Sequence, residues 1–213
     1  MSYKRLFLRG ELFGMDFLFN TLPNSLVPFD FKTFFEREMR FFLTVTDCET
    51  GEPVYYEKSE IREDFLTALQ ASCSLPFMSK PVKLKGRMVM DGGIADSIPI
   101  KKSIADGNTR HVIINTRPKG YRKSPFKLNG WMRRKYPQFK GLQQAMAKRH
   151  LHYNETMDLI DALEEKQQVF TVRPVENLDL SRLTRNKEKL YAAYDQGYFD
   201  ASSCFSELEL FLG

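Results

Sequence analysis

HVIINTRP, residues 111–118, and QVFTVRP, residues 168–174, share one grammar: a β-rich run closed by Arg-Pro. Between them the periodicity changes. Leu142, Met146, Tyr153, Met157, Ile160 and Leu163 fall on one face of a helix running from about Phe139 to Lys166. Strand, long helix, strand is the order of a crossover connection, so the two runs are expected to lie parallel in an α/β layered fold. Val112, Ile113 and Ile114 are continuously apolar, which predicts a strand covered on both faces.

Working outward, RFFLTVTDCETGEPVYYEK, residues 40–58, reads as a hairpin: Phe41–Thr46, a turn over Glu49–Pro53, and a return to Glu57. DFKTFFERE before it predicts a short helix with Asp30 as N-cap, and FNTLPNSLVPFD, Phe19–Asp30, with its two prolines, reads as loop. After the hairpin a helix is expected from a Ser59 cap to Pro76, with Ile61, Phe65, Leu69 and Cys73 on one face. Two short strands around Gly86 follow, then a short helix entered through Pro99 and stopped at Gly107. The last 29 residues read as one or two helices with Gly197 a weak point.

The 213 residues are 42% hydrophobic, which supports a packed core and excludes global disorder. No apolar run is long enough to span a bilayer, and the start lacks the uninterrupted apolar stretch of a secretory signal. Three cysteines, Cys48, Cys73 and Cys204, fit a reducing cytoplasm better than a disulfide scaffold. No His, Cys and Asp cluster has metal-ligand spacing, so neither metal nor other cofactor is expected. The net charge of +5 is unevenly placed. Residues 107–154 hold six Arg, six Lys and no acid, for +12, and the remainder carries −7.

The candidate for chemistry is Asp91. It follows Met88-Val89-Met90, at the carboxyl end of a short strand, and Gly92 and Gly93 come next. Glycines tolerate unusual backbone angles and allow close approach, and a carboxylate at a strand end is well placed to face a cleft and take a proton from a hydroxyl. The plainer reading is that Asp-Gly-Gly is an ordinary turn.

The neighbours decide between them by resemblance. Ala71, Ser72 and Pro76, then Asp91-Gly92-Gly93, then Pro99, form a series that resembles patatin-like phospholipases. VTDCETGEPVYY, ASCSLPF, DGGIADSIPI, TRPKGYRKSP, RKYPQF and the later VFTVRP resemble a bacterial branch of that family, from about Leu12 to about Leu208. The resemblance implies a three-layer α/β/α fold with a mainly parallel sheet. It also implies a serine acyl hydrolase of lipid esters working by a Ser–Asp dyad, with Asp91 as general base and Gly92 and Gly93 as its motif. Residues 1–106 are expected to be the C-terminal part of the patatin-like acyl-hydrolase domain, and 107–213 to complete or extend it.

The family's serine sits in Gly-x-Ser-x-Gly. None of the thirteen serines here has a glycine two positions before it, and no Gly-x-Gly-x-x-Gly is present. The chain is therefore expected to be an N-terminally truncated member without its own nucleophile. Met1 would be an internal methionine or a wrong start, and the isolated chain inactive and prone to aggregate or in need of a partner. The alternative is an inactive homologue that binds lipid or a partner. Ser72 and Ser74, at a helix end without the glycine-flanked elbow, are assigned structural duty. His111, His150 and His152 are not taken as catalytic.

Residues 117–140 interleave Arg117, Lys119, Arg122, Lys123, Lys127, Arg133, Arg134, Lys135 and Lys140 with Tyr121, Phe126, Trp131, Tyr136 and Phe139. Such a mixture suits an anionic membrane surface, with basic groups on phosphates and aromatic rings at the headgroups. Nucleic acid and a solvated loop are the other readings, and nucleic acid is set aside. The sequence thus reads as a cytoplasmic protein, with peripheral membrane contact as one reading of this stretch, and the resemblance implies a lipid acyl ester as substrate.

Overall fold

The computed structural model describes residues 10–126, 130–178, 180–181 and 183–213, and of Trp131 only the backbone. Residues 1–9, Lys127 and the Trp131 ring, all part of the readings above, lie outside what is described. The chain divides into two compact units: Met1–Ile98 with Ser124–Tyr153, and Pro99–Lys123 with Asn154–Gly213.

The first unit is built on four strands, β1 (Phe42–Asp47), β2 (Pro53–Glu57), β3 (Val82–Leu84) and β4 (Arg87–Asp91), in the order β2-β1-β4-β3. Every pairing is antiparallel. This corrects the expectation of a mainly parallel, three-layer sheet: the fold is mixed α/β and its larger sheet is antiparallel. The cause is local. β1–β2 and β3–β4 are joined by short turns, and only antiparallel strands can be joined so closely. Lys85 and Gly86 both take positive φ, 48° and 81°, to make the second turn.

One core of this unit holds Leu43, Val45, Ile61, Phe65, Ala68, Ala71, Leu84 and Val89. Two helices cover it, α2 (Phe31–Glu36) and α3 (Phe65–Ser72). Phe34 and Phe65 meet at 4.9 Å between ring centres, and Phe29, Phe31, Phe35 and Phe41 close around them. Asp30 caps α2 as expected, its Oδ1 accepting the Thr33 N–H at 2.9 Å. Ser59 does not cap α3. Residues 58–64 form turns instead, fastened by the Glu57 N–H donating to Glu60 Oε2 at 2.8 Å. The expected loop at Phe19–Asp30 is largely a wide π-helical segment, α1 (Phe17–Leu26), with Pro23 inside. Asn20 donates to Asp16 and Asn24 to Asn20, each at 3.1 Å, so side-chain amides brace a stretch whose proline lacks an N–H.

A second core in the same unit gathers Cys48, Met90, Ile94, Met132, Tyr136, Leu142 and Ala145. It draws on α5 (Gly130–Lys135) and the start of α6 (Lys140–Glu165). The Leu142 N–H donates to Cys48 O at 3.0 Å. Here Gly51 and Gly141 meet backbone to backbone. A Cβ on Gly141 would lie 2.1 Å from Glu49 O, and one on Gly51 would lie 2.3 Å from Gly141 O.

In the second unit α4 (Ile100–Ala105) starts after Pro99 and ends before Gly107, which has φ 88°. β5 (His111–Ile114) and β6 (Val169–Val172) pair in parallel, His111 opposite Val169. The crossover reading is right for this pair, and α6 is its connecting helix. The two-sided burial is not: Val112 is 42% and Ile114 80% exposed, so β5 is covered on one face. The closing helices are α7 (Lys187–Ser203) and α8 (Phe205–Leu212), divided at Cys204 and not at Gly197. Both Arg-Pro arginines hold structure together. Arg117 donates to Asn177 Oδ1 at 2.9 Å, and Arg173 is ion-paired with Glu164.

Candidate active site

Asp91 ends β4, where three main-chain and side-chain contacts fix it. Its N–H donates to Ser74 O at 2.9 Å, its carbonyl accepts the Thr46 hydroxyl at 2.8 Å, and its own Oδ1 accepts the Gly93 N–H at 2.8 Å. The strand therefore runs directly into a tight turn closed by its own half-buried carboxylate.

Of the two glycine properties read from the sequence, the structure uses close approach and not unusual backbone angles. Neither has a positive φ. Gly92 is needed because β1 passes so near: a Cβ there would sit 2.2 Å from Thr44 O. At Gly93 a Cβ would meet Asp91 Oδ1 at 3.0 Å and Arg149 Nη2 at 3.6 Å. So the first glycine seats the turn on the sheet and the second keeps its exposed side clear beside the carboxylate.

A layer of side chains then holds the turn. Gly93 O accepts from the Ser97 hydroxyl at 2.7 Å and from Arg149 Nε at 2.6 Å. Thr46 Oγ1 accepts the Ala95 N–H at 3.1 Å, and the Tyr55 hydroxyl donates to Asp96 Oδ2 at 2.6 Å. Burial first, and then the Asp96 carboxylate that its proton serves, push the Tyr55 phenol upward and keep it a donor. Sequence reasoning missed Arg149, Ser97 and Tyr55. Arg149 lies 56 positions from the carbonyl it holds, and no local pattern marks such a contact.

The two serine hydroxyls at the end of α3 are both engaged. Ser72 Oγ donates to Thr44 O at 2.9 Å, and the buried Ser74 Oγ donates to Gln70 O at 2.7 Å. Burial, with the Asp91 charge as the second cause, raises the Cys73 thiol and so disfavours a thiolate. His111 is in the second unit, its Nδ1 3.0 Å from Ser103 Oγ, and burial lowers its pKa. Asn108 Nδ2 also reaches Ser103, at 3.0 Å to the carbonyl and 3.2 Å to the hydroxyl, so this group clasps the end of α4 to the start of β5.

Residues 2–104 match the family described as patatin-like phospholipase. This part of the chain belongs to that family. The ordered series around Asp91 thus lies in a patatin-like phospholipase segment. Residues 139–213 match a different family, a domain of unknown function, DUF6363. The patatin-like match therefore ends well short of Leu208, where the resemblance read from the sequence extended. The uncharacterized protein YjjU of Escherichia coli (strain K12) is 27% identical over 113 residues, 51% of this chain and 31% of that protein. The chain spans about a third of the length of this curated relative.

Proposed function

We propose that this chain carries the base of a Ser–Asp acyl hydrolase acting on lipid acyl esters. The observation that carries the reading is the Asp91 turn within a patatin-like segment: a carboxylate at a strand end, with Gly92 seated on β1 and Gly93 fixed by Ser97 and Arg149. Asp91 takes the proton of a serine hydroxyl as that oxygen attacks the ester carbonyl. A base whose orientation is fixed before substrate arrives needs little rearrangement at the moment of proton transfer. Tetrahedral collapse then expels the alcohol and leaves an acyl-enzyme for water to cleave, with oxyanion donors required for both steps.

The serine of the pair comes from outside these 213 residues. No Gly-x-Ser-x-Gly occurs in the sequence. Ser72, Ser74 and Ser97, the serines that touch the turn or the strands beside it, donate to backbone carbonyls. The same observation favours a second reading, a non-catalytic homologue that binds lipid. Among the described residues no helix is long and apolar enough to cross a membrane. The membrane contact proposed for residues 117–140 is therefore a surface contact.

A fluorophosphonate probe separates the readings. It is applied to this chain and to the longest in-frame polypeptide that contains it. Labelling of the longer polypeptide, abolished by Asp91→Asn, with none on the 213-residue chain, is the expected result. Labelling that survives Asp91→Asn rejects Asp91 as the base, and no labelling of either leaves the lipid-binding homologue as the reading.

A further inference from the structure

The second unit contains a groove of about 540 Å³, within residues 139–213 for which no function is assigned. Its size falls in the range of small-molecule sites, roughly 300–1,000 Å³. One side is α7, where Ala192 and Ala193 leave the helix surface low between Lys189 and Gln196. The other side mixes apolar Val175, Leu178 and Leu180 with polar Glu176 and Asn177.

Asp200 lines this groove and is 7% exposed. Its Oδ1 accepts from Gln196 Nε2 at 2.8 Å. Its Oδ2 is buried and has no hydrogen-bond partner among the described residues. A buried carboxylate is costly unless both oxygens are served, and an ionised carboxylate only accepts. A donor carrying positive charge serves a carboxylate oxygen most strongly, and an ammonium group supplies up to three N–H bonds. Beside that acceptor the groove offers methyl, isopropyl and isobutyl surface, which suits an alkyl chain.

We infer that this groove binds a single-chain amphiphile with a primary ammonium head, the head on Asp200 and the chain along Ala192, Ala193 and Leu178. The inference stands apart from the acyl-hydrolase reading, because it uses no residue of the Asp91 turn.

The test is titration of the full, isotopically labelled chain at neutral pH with decylamine, 1-decanol and decanoate, each below its aggregation concentration, followed by amide NMR. Decylamine is expected to shift the amides of Ala192, Ala193, Gln196 and Asp200 in a saturable way. It should bind roughly tenfold or more tightly than decanol, as expected for a hydrogen bond to a charged group. Asp200→Asn should erase that preference and leave decanol binding unchanged. Ala193→Leu, which keeps the carboxylate and a strong helix former, should block amine and alcohol alike. It serves as the second variant if Asp200→Asn fails to fold by circular dichroism. Equal binding of amine and alcohol by the unmodified chain overturns the inference, as does tighter binding of decanoate or shifts confined to residues outside the groove's lining.

Discussion

At Asp47 a single carboxylate organises a turn, a strand end and an arginine. Its Oδ1 accepts the Glu49 N–H at 2.8 Å and the Thr50 N–H at 3.1 Å, and its Oδ2 accepts from Arg87 at 2.7 Å. Burial opposes the charged form, but Arg87 and the two backbone donors outweigh it and hold the group below its ordinary carboxylate value. A carboxyl lowered in the folded state stabilises the fold above the unfolded value of about 3.9, and that contribution disappears as pH falls through the folded value. Asp47→Asn should therefore cost roughly 2 kcal/mol at pH 7, the scale of a hydrogen bond to a charged group. The gap between variant and parent should narrow in acid, as pH falls from the unfolded value of about 3.9 through the lower folded one. Urea midpoints at neutral and acid pH test this, and an unchanged gap in acid would mean that the residue acts through packing alone. Asp47 differs from Asp91 in this respect. The first is nearly buried and ties a turn to Arg87, whereas the second is half-exposed at the end of a strand.

Between elements, the decisive contact joins two glycines ninety positions apart in the chain, Gly51 in the hairpin turn and Gly141 at the start of α6. A methyl group on Gly141 would overlap Glu49 O and the Gly51 N, neither of which is a flexible side-chain end. Gly141→Ala should lower stability by about 1–3 kcal/mol, as overpacking does, and thermal unfolding by circular dichroism measures it. Gly197→Ala in α7, where a Cβ meets nothing within 4 Å, is the control and should be neutral or stabilising. This contact also marks where reading by sequence stops. The β1–β2 hairpin, the strand pair around Gly86, the Pro99 helix and α6 were legible because each is set by neighbours: β-branched runs, positive-φ turns, apolar residues at helical spacing. The antiparallel sheet was not, since its central pairing sets Val45 opposite Asp91 and no local pattern carries that register. β5 misled for a related reason. Val112-Ile113-Ile114 reads the same whether one face is covered or two. At the candidate site Asp91 and its glycines were legible as a motif. Arg149, which holds the turn by its guanidinium, was not, because a basic residue on a long helix reads as solvated surface.

For the molecule as a whole, the charge split between residues 107–154, at +12, and the remainder, at −7, is narrowed by the structure. Arg122 is held by Asp158 at 2.6 Å and Asp161 at 2.8 Å, and Arg117 lies over Tyr121 with its centre 4.9 Å from the ring. Tyr136 is buried, and its hydroxyl accepts the Phe77 N–H at 3.0 Å, so it is no headgroup anchor. Among the described residues, the exposed cations that remain in this stretch of the first unit are Arg133, Arg134, Lys135 and Lys140, on α5 and the start of α6. Arg133 and Lys140 border a cleft of about 450 Å³ whose other walls include Gln143 and Gln144. Met132 and Tyr136 bury the opposite side of α5, so charges on the exposed side can be reversed without disturbing the core. Each basic residue near an anionic leaflet contributes about 1 kcal/mol at physiological salt. Arg133→Glu with Arg134→Glu should therefore reduce partition onto phosphatidylglycerol vesicles by more than roughly tenfold. Binding to purely zwitterionic vesicles should be weak for parent and variant alike, and raised salt should weaken the parent toward the variant, because salt screens exposed charges beyond about a Debye length. Vesicle flotation reads all of these. Binding indifferent to anionic lipid rejects the membrane role for this face, and displacement from anionic vesicles by a short RNA at lower concentration than by free phosphatidylglycerol would reassign the same cations to nucleic acid.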